Sequence, residues 1–121
     1  MQIDVETDRQ MISATRRGRR PWIQLLSAIL KLAGPRAELL RHSEKPWASV
    51  TFSGTRHTIE LTFAGAEAVE AGESFIAALP DHEFEISGQL VADATVTSVD
   101  HTGEPAAVLT VACELLLLED A

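Results

Sequence analysis

One cysteine, Cys113, occurs in the 121 residues, so no intramolecular disulfide can form and a disulfide-stapled scaffold is excluded. It sits in the run Val111-Ala112-Cys113-Glu114-Leu115 without a neighbouring cation, which reads as a small buried hydrophobe and a poor nucleophile. Long apolar runs are also missing. The most apolar stretch, Trp22 to Ala33, is broken by Gln24, Ser27 and Lys31 and falls short of the roughly 20 residues that span a bilayer. The opening Met1-Gln2-Ile3-Asp4-Val5-Glu6 is acidic and lacks the apolar segment of a signal peptide, so a cytoplasmic protein with no membrane partner is expected. Gly-x-Ser-x-Gly, His-Glu-x-x-His, Cys-x-x-Cys, calcium-loop and glycine-rich phosphate-loop patterns are all absent. Ala64-Gly65-Ala66 offers backbone N–H groups but is followed by acidic Glu67. No cofactor is expected.

The last absence concerns charge of one sign. No lysine or arginine follows Arg56. Residues 1–56 carry ten basic and five acidic residues, a net of +5, and residues 57–121 carry thirteen acidic residues, a net of −13, which together give −8. The cations centre on Arg16, Arg17, Arg19 and Arg20, whose guanidinium forks suit phosphate oxygens and make them candidate anion-binding residues. Against that, a net charge of −8 repels polyanions, and no aromatic residues alternate with the cluster. Pairing of the basic part with the acidic part, within a chain or between two, is the preferred reading, and nucleic acid is disfavoured.

What is present suffices for one ordinary domain: 45% hydrophobic and 23% charged residues over a length that buries a real core. Residues 1–8 alternate weakly and form an edge strand or a loose arm, and Gln10 to Thr15 offers a second short strand. A helix is predicted from Pro21, which fits a first turn, to the stop at Gly34-Pro35, with a broad apolar arc of Trp22, Leu25, Leu26, Ile29, Leu32 and Ala33. Ser43-Glu44-Lys45-Pro46 reads as a turn by composition. A hairpin is predicted with Ala48, Val50 and Phe52 on one strand, a turn at Ser53 to Arg56, and His57, Ile59, Leu61 and Phe63 on the other. A second helix is predicted over Ala66 to Leu79, with Glu67, Glu70 and Glu73 facing water and Gly72 approaching a neighbour closely. Two long strands follow. The first places Phe84, Ile86, Leu90, Ala92, Ala94 and Val96 on one face, with Gly88 at a bend and a turn at Asp100 to Gly103. The second is apolar on both sides, through Leu109, Val111, Cys113, Leu115 and Leu117 and through Val108, Ala112, Leu116 and Leu118.

The expected fold is α+β, a two-layer sandwich of a mainly antiparallel sheet of four to five strands with two helices on one face. A hot-dog-like sheet around one helix is the alternative, and the three outward glutamates of the second helix argue against it.

No two of the four histidines, His42, His57, His82 and His101, are three or four residues apart, so no metal pair is encoded locally and no metal site is expected. Asp81-His82-Glu83 groups three potential ligands, but in a strand only Asp81 and Glu83 would share a face. His57, Asp93 and His82 are the candidate catalytic residues. His57 lies on an apolar strand face and would act as a base if Asp81, Glu83 or Asp93 approached it. A satisfied histidine at the sheet margin is the plainer reading. Asp93 interrupts Leu90-Val91-Ala92-Asp93-Ala94 and falls on the helix-free face.

Two functions compete. The first is a non-catalytic, accessory protein-interaction domain working as a homodimer or in a complex, argued from the wide helix arc, the two-sided last strand and the charge division. The second is a small metal-independent enzyme or small-molecule binder using a pocket between helix and sheet near His57.

Overall fold

The computed structural model describes residues 21–119. Its elements are α1 (Pro21–Ala33), β1 (Ala37–Ala48), β2 (Ser53–Ala64), α2 (Ala66–Ala78), a 3-10 turn (Leu79–Asp81), β3 (Gln89–Thr102) and β4 (Val108–Glu119). The strands form one antiparallel sheet in the order β1-β2-β4-β3, and both helices pack against it. This is the expected α+β two-layer sandwich, with four strands among the described residues. The strands expected within residues 1–15 and the cluster Arg16, Arg17, Arg19 and Arg20 lie outside the described residues.

The core follows from two periodicities meeting. Leu25, Ile29 and Ala33 recur at helical spacing on α1 and are buried, as are Ala68, Val69, Gly72 and Phe75 on α2. Facing them, His57, Ile59, Leu61 and Phe63 of β2 alternate along one sheet face and pair across with Leu115, Cys113, Val111 and Leu109 of β4. Positive φ at Gly34 lets the chain turn off α1, while the Gly34 N–H donates to the Leu30 carbonyl at 2.9 Å. Gly72 is where α2 comes closest to the sheet: an added Cβ would lie 2.6 Å from Leu109 Cδ2 and 2.8 Å from Phe63 Cδ1. The mid-helix glycine therefore serves the close approach that its position suggested.

Three local expectations are corrected. Ser43-Glu44-Lys45-Pro46 is not a turn but part of β1, where Ser43, Glu44, Lys45 and Pro46 face Thr58, His57, Arg56 and Thr55. Among the described residues β1 is an edge strand, the position in a sheet where a proline, which has no N–H to donate, is accommodated. The hairpin turn lies instead at Ser49 to Phe52, where the Ser49 hydroxyl accepts from the Phe52 N–H at 3.0 Å and the Thr51 N–H at 3.3 Å. Val50 and Phe52 are thus an exposed tip, not a strand face.

The third correction concerns β3. It begins at Gln89, after an isolated bridge between Ile86 and Gln89, and runs through Thr102, so Asp100 and His101 are strand residues rather than a turn. Register shifts at Val91/Asp93 and Val96/Ser98 each insert an extra residue and switch the parity. Leu90 opposes Leu118 on the face turned away from α1 and α2, whereas Ala94 and Val96 oppose Leu115 and Cys113 on the face that α1 and α2 cover. Asp93 opposes Leu116 on the side turned away from α1 and α2, as its position suggested.

Among the described residues, three arginines of the basic part pair with carboxylates of the acidic part. Arg36 meets Glu67 at 2.6 Å, Arg56 meets Glu114 at 3.4 Å and Arg41 meets Glu60 at 3.7 Å. Each pair takes its arginine from residues 1–56 and its carboxylate from residues 57–121. All six side chains are substantially solvated, so each pair contributes at most about 1 kcal/mol.

Candidate functional site

At the end of the sheet nearest the hairpin tip, the first turn of α1 overhangs the helix face and leaves a cleft of about 290 Å³. Pro21 and Trp22 form its wall; Glu44, Thr55, His57, Gln89 and Glu119 line the remainder. Register explains the convergence of these residues from four strands. Glu44 pairs with His57, His57 with Leu115, and Gln89 with Glu119, so side chains of equal parity on β1 to β3 emerge together beneath the helix. Two carboxylates and no lysine or arginine line the cleft among the described residues.

His57 is the one buried polar residue of the described chain, 2% exposed, at the inner end of this cleft. Its neighbours come from the edge strand. His42 Nε2 lies 2.9 Å from His57 Nδ1, and Glu44 Oε2 lies 3.6 Å from the same nitrogen. The ring planes of the two histidines differ by 11°, with centroids 5.1 Å apart. That separation is close to the N···N distance extended by one ring radius at each end, so the rings meet edge to edge and not face to face. One ring donates an N–H and the other accepts. Trp22 lies beside His42 on the other side, with ring centroids 5.9 Å apart and planes 17° from parallel. The indole, the half-exposed imidazole and the buried imidazole thus run in a row from α1 across β1 to β2.

Burial lowers the pKa of His57, and the neighbouring His42 lowers it further; the Glu44 carboxylate raises it, but burial is the largest cause. His57 is therefore neutral near pH 7, and its approach to Glu44 is one between a charge and a neutral ring rather than an ion pair. Neutral imidazole nitrogen is also the form that ligates metal ions. His42, Glu44 and His57 are the three metal-ligating side chains whose donor atoms all lie within 4.8 Å of one another among the described residues.

No family model matches the chain, and no curated protein matches it in sequence.

The other sequence candidates fall elsewhere. Asp93 is on the opposite side of the sheet from His57 and from α1 and α2, and its carboxylate lies 3.3 Å from the Thr95 hydroxyl. Asp81 ends the 3-10 turn and His82 and Glu83 follow in irregular chain, so the strand geometry assumed for them does not hold. His82 instead meets the Phe84 ring edge-on at 4.6 Å. His101 is exposed on β3. Cys113 is fully buried and its thiol pKa is pushed up to about 12, as expected of an inert core residue. The carboxylate that approaches His57 is Glu44, and the nitrogen that bonds to it belongs to His42. Neither was a sequence candidate. A signal existed: His42 and Glu44 share parity, and a turn at Ser49 to Phe52 sets both against the His57 end of β2.

Proposed function

We propose that the chain is a small, non-catalytic binding domain whose cleft beside His57 takes a small cationic ligand. The observation that carries the reading is the cleft itself: Glu44 and Glu119 flank it, a neutral histidine floors it, an indole walls it, and no cation among the described residues opposes it. An aromatic face and carboxylates attract cations by the ring quadrupole and by direct charge. The volume of about 290 Å³ suits an ion or a compact amine better than a nucleotide. Such a module works in the cytoplasm, where a lone free thiol is ordinary.

Nuclear magnetic resonance tests this with a panel of monoamines, diamines and size-matched carboxylates. Cations are expected to shift the Trp22 indole N–H and the amides of Thr55 and His57, while carboxylates leave them unmoved. Equal shifts with the anions, or none with any cation, would refute the reading.

Association with a second copy or a protein partner is the second reading, and one observation favours it. Val50 and Phe52 at the hairpin tip and Leu90 at the start of β3 expose large apolar surface at one end of the sheet. Two supports from the sequence weaken, however. The wide arc of α1 packs Leu26, Leu30 and Leu32 against the protein's own core, and Leu116 and Leu118 are only 8% exposed. Light scattering decides: a monomer at high concentration removes this reading.

A further inference from the structure

We propose that His42 Nε2, His57 Nδ1 and the Glu44 carboxylate form a site for one divalent first-row transition metal ion, with zinc or nickel as the fitting chemistry. The inference deepens the cleft reading by naming the cation.

The distances carry it. Zinc binds histidine nitrogen at about 2.0–2.1 Å and carboxylate oxygen at about 2.0–2.2 Å, so two ligands on one ion stand about 2.9 Å apart at a right angle and about 3.3 Å apart at a tetrahedral angle. The observed separations of 2.9 Å for the two nitrogens and 3.6 Å from His57 Nδ1 to Glu44 Oε2 bracket these values. The donor set is mixed imidazole and carboxylate, which suits zinc, nickel or copper and not magnesium or calcium. Three ligands also leave positions open toward the cleft, where water or a small ligand completes the shell.

The ion takes the place of the proton that the two rings now share. Whichever ring donates that N–H must give up the proton at that nitrogen, to its other nitrogen or to solvent, before the lone pair there can ligate. Their lone pairs now face each other, so one ring must tilt to admit the ion. His42 is the ring that can do so, because it is only half buried on an edge strand, whereas His57 is packed in the core. Glu44 is exposed, two residues along β1 from His42, with its carboxylate within 4.8 Å of both nitrogens, so a rotation of its flexible side chain brings an oxygen onto the ion. The other acidic and histidine residues of the described chain form no group of comparable closeness.

Calorimetric titration of the full chain with zinc chloride and with nickel chloride tests the proposal, alongside the imidazole nitrogen resonances. The expected result is one ion per chain, with large shifts of His42 Nε2 and His57 Nδ1 and none at His82 or His101. H42A and E44Q alter a half-buried and an exposed side chain of β1, and each should weaken binding by at least about tenfold in protein whose denaturation still shows a folded chain. A protein that binds neither ion at one per chain, or whose affinity is unchanged in both variants, overturns the proposal. Failure here with amine binding intact would leave the cleft reading standing; failure of both would remove the cleft.

Discussion

Replacing Gly72 with alanine sets two physical effects of opposite sign against each other. Helix propensity alone favours the alanine by about 1 kcal/mol in a helix interior. The packing opposes it. The new methyl would lie 2.6 Å from Leu109 Cδ2, 2.8 Å from Phe63 Cδ1 and 2.9 Å from Phe63 Cγ, where carbon atoms prefer about 3.5–4.0 Å. The Leu109 methyl is the far end of a flexible side chain and can swing. The Phe63 ring cannot, because it is fully buried and packed on Phe75 with ring centroids 6.3 Å apart. Overpacking of this kind costs about 1–3 kcal/mol, so G72A is expected to be less stable by roughly 1 kcal/mol after the propensity gain is subtracted. With a urea m-value of about 1–3 kcal/mol/M, the midpoint falls by roughly 0.3–1 M. F63L makes room at the same spot, so the double variant should lose less than the two single losses combined. A G72A protein with a raised midpoint would refute the account of how α2 sits on the sheet.

Stability should fall as pH drops below neutrality through the His57 equilibrium. Its pKa is lowered in the folded protein, so the unfolded chain binds more protons in the window from about 6.5 down to the folded value, and stability declines across it. The groups facing His57 are His42 and Glu44, and H57Q should flatten the slope between pH 7.5 and 5.5; a stability that rises as pH falls there contradicts the assignment. With its pKa pushed up to about 12, the Cys113 thiol holds about one thiolate in ten thousand at pH 8. It should react with a disulfide reagent only in denaturant, and prompt labelling in native buffer would show that the core is open. E67Q and E114Q remove exposed pairs and should each cost less than about 1 kcal/mol in denaturation, less again at high salt; a loss above about 2 kcal/mol would mean that the charge division carries the fold.

Sequence periodicity made the architecture legible wherever a segment buried one clear face. α1 between Pro21 and Gly34 and the apolar alternation from His57 to Phe63 are such segments. Composition misled where polar residues occupy an edge. Ser43 to Pro46 resembles a turn, but an edge strand has one side free of partners and accommodates proline and charge together. That single misplacement shifted the hairpin turn by four residues and hid His42 and Glu44, because neither could be set opposite β2 until the register was known. The bulges in β3 were equally hidden, since an extra residue reverses parity without a composition signal beyond small residues such as Ala92 and Thr97. The candidate site depends on pairing between strands, which no local spacing of histidines encodes.

A crystal grown with zinc chloride, with anomalous diffraction measured at the zinc absorption edge, tests most directly whether His42, Glu44 and His57 hold a metal ion at the inner end of the cleft. One peak is expected between His42 Nε2 and His57 Nδ1, within about 2.0–2.2 Å of both nitrogens and of a Glu44 oxygen. A cleft without that peak, with the two histidines still hydrogen-bonded to each other, would contradict it.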